Sequence, residues 1–196
     1  MTDIATNPRQ SLSARQAKTV ARLLEAGLEE IRDLGYEELS LRTVGARAGV
    51  THTTAYSYFG SKAHLVVAIF WHHIEGLPDP VLDAAAPLGD RLSAALHDPG
   101  RLFLDEPELT EAASAALLLK EPDIRRVRDQ VGGELARRIG LALGPDADPW
   151  ISEIVLMAFS GGMLEAGMGY FDFAGVVERI RRLGDLVERA GSAPHG

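Results

Sequence analysis

Apolar residues recur at helical spacing along most of this 196-residue chain. Between Arg15 and Leu34 they follow one another mainly at intervals of three and four positions, which places them on one face of a helix. No long stretch alternates with the two-residue period of a strand. The pattern therefore predicts an all-α protein. The predicted helices span residues 15–34, 41–48, 51–58, 88–97, 108–119, 122–143, 149–170 and 173–190, with one more that begins at Ser61 and cannot continue into the prolines after Gly76.

Two short helices are predicted on either side of a turn at Gly49. Ser40 and Thr51 are good N-caps for the first and the second. A long helix followed by two short ones across a tight turn is a helix-turn-helix arrangement, whose last helix enters the major groove of DNA. The predicted domains are a flexible arm over 1–13, a helix-turn-helix DNA-binding domain over 14–60, a C-terminal domain over 61–190 and a flexible tail over 191–196.

The segment GVTHTTAYSYFGSK, residues 49–62, combines hydroxyls, aromatic rings and one lysine, and it contains no acidic residue. His52 and Thr53 fall in the first turn of the predicted reading helix, where contact with base edges is expected. Tyr56 lies one turn further on, within reach of a phosphate or a thymine methyl group. The candidate DNA contacts are Ser40, Arg42, Thr43, Thr51, His52, Thr53, Thr54, Tyr56, Ser57, Tyr58 and Lys62.

Each of these candidates also has a purely structural interpretation. Ser40 and Thr51 could serve as helix caps alone, and Thr54 could be a packing residue. Tyr56 and Tyr58 could be half-buried structural tyrosines. His52 has the weakest structural explanation, because a polar ring in the first turn of a short helix supports no core.

The net charge of −8 is unevenly distributed. Residues 1–64 contain eight Lys/Arg and seven Asp/Glu, whereas residues 65–196 contain twelve Lys/Arg and twenty-one Asp/Glu. The acidity therefore belongs to the C-terminal two-thirds. This asymmetry favours a front module that approaches a polyanion and argues against a protein that packages DNA by charge alone.

The segment LSLRTVGARAGVTHTTAYSYFGSKAHL, residues 39–65, resembles the DNA-binding signature of TetR-family transcriptional regulators. The resemblance is carried by the Ala48-Gly49-Val50 turn, the Thr51 cap, the run from Thr54 to Phe59, and Ser61-Lys62. It covers about residues 14–70, including Gly35-Tyr36 at the end of the first helix. Two positions depart from the pattern: Gly45 stands where alanine is usual, and Ala55 where leucine is usual.

The resemblance implies an all-helical homodimer with an effector-binding C-terminal domain that dimerises through its last two helices, about 149–190. The glycine-rich apolar segment DPWISEIVLMAFSGGMLEAGMGYF also favours a partner chain, since a helix apolar on most faces must be covered; a central core helix of a monomer is the alternative. The implied effector is a small hydrophobic or amphipathic molecule. Its candidate contacts, which could equally be core residues, are Trp71, His72, Phe103, Leu117, Trp150, Phe159 and Met163.

Other classes of protein find little support. No serine-hydrolase elbow, phosphate-binding loop or dinucleotide fingerprint is present, so an enzyme is not expected. His72 and Glu75 are three positions apart, but such a pair is common by chance, and we predict neither a metal site nor a cofactor. The chain has no cysteine, no signal-peptide pattern and no apolar run of membrane-spanning length, which leads us to expect a cytoplasmic protein with no membrane partner.

The sequence thus predicts a ligand-responsive, sequence-specific transcriptional regulator that binds a double-stranded operator. Release of a repressor from a near-palindromic operator by an effector is the mechanism we expect. An activator, or an effector-independent DNA-binding protein of the same fold, is the alternative.

Overall fold

The computed structural model describes residues 14–191, so the predicted arm over 1–13 and nearly all of the predicted tail lie outside the described residues. Within residues 14–191 the chain is all helical, which confirms the predicted fold class. Its nine helices are α1 (Ala14–Glu38), α2 (Leu41–Arg47), α3 (His52–Tyr58), α4 (Lys62–Glu75), α5 (Leu88–Asp105), α6 (Pro107–Leu117), α7 (Pro122–Leu143), α8 (Pro149–Gly167) and α9 (Phe173–Gly191).

The first of two compact units contains the described chain up to Glu75 together with Glu106–Gln130. Helices α1, α4 and α6 pack against one another, α2 packs on α1, and α3 packs on α2. The contact between α1 and α4 is close at Gly27, where an added Cβ would lie 2.8 Å from Ile69 Cδ1. This three-helix base supports the short helices α2 and α3.

The second unit contains Gly76–Asp105 and the described chain from Val131 onward. Its main contact joins α5 and α9, and α8 also packs on α9. A Cβ added to Gly184 would lie 2.6 Å from the Cα of Gly89, so the two helices approach with no side chain between them. The boundary predicted between residues 60 and 61 separates a DNA-binding domain from a C-terminal domain and stays a prediction. The two packing units differ from these domains, because the first unit also contains α4 and Glu106–Gln130.

The helix predicted over residues 88–97 is longer than expected, because α5 continues through Pro99 to Asp105. A proline inside a helix removes one backbone hydrogen bond and normally ends or kinks it. Here Pro99 and Gly100 are both buried. A Cβ added to Gly100 would lie 3.3 Å from Val177 of α9, so the segment packs closely against that helix. Tertiary packing therefore outweighs the local preference of proline.

Arg138 of α7 is fully buried and holds the irregular segment that starts the second unit. Its Nη2 donates to the carbonyl oxygens of Leu77 and Pro78, at 3.1 and 2.9 Å. Its Nε donates to Glu134 Oε1 at 2.8 Å. Hydrogen bonds from Arg137 and Arg138 lower the pKa of the Glu134 carboxyl. None of the helices within residues 14–191 has the length and apolar character needed to cross a lipid bilayer.

Candidate DNA-binding surface

Helix α2 begins at a side-chain cap that fixes two of the predicted contact residues. The backbone N–H of Thr43 donates to Ser40 Oγ at 3.1 Å, and Thr43 Oγ1 donates back to the Ser40 carbonyl at 2.9 Å. The structural role predicted for Ser40 as a cap is therefore present. Arg42 and Thr43 remain exposed beside this cap. Their contact with the DNA backbone stays a prediction.

The turn after α2 is made by Ala48, Gly49 and Val50. Gly49 has φ +64°, a left-handed conformation that glycine adopts without steric cost. The Val50 N–H donates to the Gly45 carbonyl at 2.8 Å and so connects the far side of the turn to the middle of α2. At Gly45 an added Cβ would lie 3.5 Å from the Cβ of Ala55, so the two departures from the family pattern face each other where α2 and α3 meet.

Helix α3 repeats the capping arrangement of α2. The backbone N–H of Thr54 donates to Thr51 Oγ1 at 3.2 Å, and the two threonine hydroxyls lie 2.9 Å apart. Ser57 Oγ donates to the Thr54 carbonyl at 2.7 Å. Thr51 and Thr54 are thus used in holding α3 together, whatever further contact they make with DNA.

The outward face of α3 is formed by residues at positions i, i+1, i+4 and i+5 of one helix, which lie side by side. These residues are all exposed: His52, Thr53, Tyr56 and Ser57. Tyr56 is 54% exposed and lies on this outward face. Tyr58 is half-buried, and Ala55 and Phe59 face the interior. The predicted base-facing pair therefore shares one acid-free surface with a tyrosine and a serine.

Lys62, at the start of α4, is held by the end of α1. Its Nζ donates to the carbonyl oxygens of Tyr36 and Glu37, at 3.0 and 3.1 Å, and lies 4.4 Å from the centre of the Tyr36 ring. An ammonium group has three donors, so one remains for a phosphate. The phosphate contact of Lys62 stays a prediction. Sequence reasoning missed its structural role, because that role depends on how α1 and α4 pack.

Arg47 was not among the sequence candidates, yet it anchors α2 to α1. Its guanidinium meets Glu30 and Asp33, each at 2.8 Å, and Glu29 at 3.5 Å. The hydrogen bond that Arg47 donates to Asp33, together with the nearby acids, raises the pKa of Arg47. The three acids follow a helical spacing on α1, which is the one sequence signal that could have pointed to a common partner.

The predicted effector residues are divided between the two units. In the first unit Trp71 and Leu117 are half-buried and His72 is exposed. In the second unit Phe159 and Met163 are buried on the inner face of α8, while Trp150 is exposed. Phe103, also in the second unit, packs its ring 4.6 Å from that of Phe173. Their role in binding an effector stays a prediction.

The His72 ring pairs with Glu75, with Nδ1 and Oε1 3.4 Å apart. Among residues 14–191, no three histidine, aspartate or glutamate side chains are grouped so that they could hold a metal ion. The pair is a surface contact between two exposed side chains.

The outward face of α8 carries a stripe of large apolar side chains at spacings of three and four. Met157 is 69% exposed and Met168 is 62% exposed. Gly161 lies between them on the same face, with nothing within 4 Å of an added Cβ. The stripe, named here the α8 stripe, consists of Trp150, Ile154, Met157, Gly161, Leu164 and Met168. Contiguous exposed apolar surface of this kind marks an interaction site in a globular protein.

The capped pair α2 and α3, with an exposed reading face and a supporting α1, defines a helix-turn-helix DNA-binding protein. The model of the family "Bacterial regulatory proteins, tetR family" matches residues 23–69. An HTH-type transcriptional regulator of Mycobacterium tuberculosis is 36% identical over 94% of this chain and 87% of its own length. The chain belongs to the TetR family of bacterial regulatory proteins.

Further relatives agree with this assignment. The HTH-type transcriptional repressor KstR of Mycolicibacterium smegmatis is 33% identical over 67% of each chain. A TetR regulator from Rhodococcus sp. RHA1 has the same fold, with a TM-score of 0.72 at 24% identity over 90% of this chain and 98% of that one. The predictions of a DNA-binding transcriptional regulator, and of a protein that is not an enzyme, are thereby confirmed.

Proposed function

We propose that this protein is a ligand-responsive repressor that binds a near-palindromic operator as a homodimer. The observation that carries the proposal is the exposed, acid-free outer face of α3, in a pair of helices that each begin at a side-chain cap. In such a dimer the two copies of α3 enter successive major grooves, about 34–36 Å apart. A cytoplasmic location, where operator DNA is found, is part of this proposal.

The proposed contacts fall into two groups. His52 and Thr53 face base edges: the imidazole donates or accepts a hydrogen bond, and the threonine offers a hydroxyl and a methyl group. Residues at the helix starts and ends contact the phosphate backbone, which fixes the register but carries no sequence information. These are Ser40, Arg42, Thr43, Tyr56, Ser57, Tyr58 and Lys62, with Thr51 and Thr54 acting mainly through their caps.

The proposed dimer forms through α8 and α9, with the α8 stripe at its centre. The exposed side chains of this stripe, Trp150 and Met157 among them, lose contact with water when a second copy covers them. On α9, Leu186 is 57% exposed and would extend the same apolar contact. A two-fold interface of this kind sets the separation of the two reading helices.

The proposed effector is a small hydrophobic or amphipathic molecule bound by the C-terminal domain. The candidate contacts are Trp71, His72, Phe103, Leu117, Trp150, Phe159 and Met163. FadR of Thermus thermophilus, described as a TetR-family repressor in complex with lauroyl-CoA, shares the fold at a TM-score of 0.64 and 18% identity over 90% of this chain and 100% of that one. Acyl-CoA thioesters are therefore the first compounds to test. An effector releases the operator only if it binds more tightly to a dimer geometry that no longer fits the DNA.

Footprinting of the purified protein on DNA flanking its own gene tests the proposal. We expect protection of one near-palindromic site with two half-sites a helical turn apart, and loss of protection when a suitable acyl-CoA is added. Protection of an asymmetric single half-site would contradict the dimeric mode of binding. Protection that no hydrophobic or amphipathic compound relieves would contradict the ligand-responsive part.

A further inference from the structure

The turn between α2 and α3 is held from outside by an arginine of α1. Arg22 Nη2 donates a hydrogen bond to the carbonyl oxygen of Ala48, the residue that ends α2. A Cβ added to the next residue, Gly49, would lie 2.7 Å from the same Nη2 atom. Glycine is therefore favoured at position 49 for two reasons: it adopts φ +64° without steric cost, and it leaves room for the Arg22 guanidinium.

The hydrogen bond from Arg22 lies where the end of α2 leads into α3. The Ala48 carbonyl lies at the negative end of α2, where a cation is favoured, and the hydrogen bond is charge-assisted. Helix α3 begins only four residues after Ala48, and His52 is its first residue. Any rotation of the turn therefore moves the side chains that face the DNA.

Helices α2 and α3 also meet directly, since a Cβ added to Gly45 would lie 3.5 Å from the Cβ of Ala55. Arg47 fastens the last turn of α2 to the acids of α1, but it lies on the helix before the turn. Arg22 is the contact from α1 that reaches the turn itself.

We propose that Arg22 is a positioning residue for operator recognition: it holds the α2–α3 turn through the Ala48 carbonyl and so orients α3 on the bases. The inference rests on the proposed role of α3 as the reading helix. Arg22 acts through the backbone of the turn and not by neutralising a phosphate. It therefore affects recognition of the operator sequence more than binding to DNA in general.

The experiment compares Arg22→Met with Arg22→Lys and with Arg32→Met as a matched control. Arg32 lies on the same helix and pairs with Glu106, the residue before α6, so its replacement removes the same charge without touching the turn. Affinity for the footprinted operator and for a random duplex is measured at several salt concentrations. In parallel, hydrogen exchange of the backbone amides of residues 49–58 is measured without DNA.

We expect Arg22→Met to weaken operator binding about tenfold, the size of one charge-assisted hydrogen bond. Binding to random duplex should stay within about twofold, and the dependence of operator affinity on salt should keep its slope. Amide exchange over residues 49–58 should accelerate. Arg22→Lys should recover part of the loss, since an ammonium group donates to a single carbonyl, and Arg32→Met should match the wild type in all three measurements.

Equal weakening on operator and random DNA, with the salt slope reduced by about one, would overturn the proposal in favour of a direct phosphate contact. Unchanged operator affinity in Arg22→Met would overturn it as well. If the wild-type protein itself fails to discriminate operator from random DNA, the proposed function fails. The exchange measurement then still decides the role of Arg22, because unchanged exchange over 49–58 would refute the hold on the turn.

Discussion

At the scale of single residues, the two N-caps show how one side chain serves both folding and recognition. Ser40 and Thr51 each accept a hydrogen bond from the backbone N–H three residues later, so each start of the helix-turn-helix is closed in the same way. A capping side chain contributes about 1 kcal/mol to stability. Its presence at the DNA-binding surface is therefore explained by folding alone, and a DNA contact needs a separate test.

Replacement of Thr51 by Asp separates the two roles. Aspartate is an equally good N-cap and favours a helix N-terminus electrostatically, so the free energy of unfolding should stay within about 0.5 kcal/mol of the wild type. The added negative charge beside the phosphates should weaken DNA binding at least tenfold at low salt. Thr51→Ala should have the opposite pattern: the free energy of unfolding, measured by urea denaturation, should fall by about 1 kcal/mol. Its affinity for DNA should change less than that of Thr51→Asp. Unchanged DNA affinity in Thr51→Asp would place Thr51 away from the backbone.

His52 provides the test of base reading. We expect His52→Ala to change the preference at one base pair of each half-site by about 1–3 kcal/mol, because a single hydrogen-bonding side chain is removed from the groove. Affinities for a set of operator variants, each altered at one position, measure this preference. Uniform weakening across all variants would instead assign His52 a contact that carries no sequence information.

Lys62 and Arg47 make long-range polar contacts that the sequence alone does not predict. The lysine was predicted from its place after the reading helix, but its two carbonyl partners on α1 lie 25 and 26 positions away in the chain. Arg47 escaped notice because its acids lie 14 to 18 positions earlier on another helix. The caps were predictable because their partners are three residues away. Long-range polar contacts depend on helix packing, which periodicity does not specify.

At the scale of elements, the glycine in the middle of α2 weakens a helix of only seven residues. Gly45→Ala should raise the free energy of unfolding by about 0.5–1 kcal/mol, because alanine has the better helix propensity. The added Cβ meets Val50 O at 3.4 Å and Ala55 Cβ at 3.5 Å, which are ordinary contacts. Chemical denaturation measures the change.

Gly27→Ala is the contrasting variant for this prediction. It makes the same chemical change in α1, but its Cβ would lie 2.8 Å from Ile69 Cδ1 and 3.1 Å from Leu65 Cδ2. Overpacking between α1 and α4 should therefore lower stability by about 1–3 kcal/mol. An equal rise in the free energy of unfolding of both variants would mean that helix propensity alone determines the effect of these substitutions.

The Glu134 cluster on α7 predicts an acid-sensitive element. Hydrogen bonds from Arg137 and Arg138 hold the Glu134 pKa below its usual value of 4.5. A carboxyl whose pKa is lowered by folding stabilises the protein above its unfolded pKa, and this contribution disappears as pH falls through the folded pKa. Glu134→Gln should lower the urea midpoint at pH 7 and flatten its decline below about pH 5. Glu111→Gln, at an exposed carboxyl of α6, is the control, and parallel declines in all three proteins would contradict the prediction.

At the scale of the whole molecule, the predictable part of the fold is the part with local signals. Capping residues and glycines marked the limits of α2 and α3 to within a residue, and apolar periodicity identified every later helix within residues 14–191. The continuation of α5 through Pro99 was missed, because packing against α9 overrides the local effect of proline. The proposed effector residues are spread along four helices in two units, so no local pattern could show whether they act together.

In the proposed dimer, the oligomeric state depends on the α8 stripe. Met157 lies at its middle and is 69% exposed, so a charge placed there meets only the partner in the proposed dimer. We expect Met157→Glu to yield a folded monomer, since two buried glutamates would face the interface without counter-charges. Operator affinity should fall at least a hundredfold, because each reading helix then binds its half-site alone. Light scattering coupled to gel filtration gives the mass, and gel shift gives the affinity.

Val81→Glu supplies the matched control, because Val81 is 94% exposed and lies outside α8 and α9. It adds the same charge to the second unit, so any general effect of acidity on DNA binding or solubility appears equally in both variants. If Met157→Glu has the mass of a monomer and Val81→Glu that of a dimer, the loss of dimerisation is due to the change at the α8 stripe. If Met157→Glu remains a dimer that binds the operator normally, the subunits meet through another surface, and the spacing of the two copies of α3 must be set there.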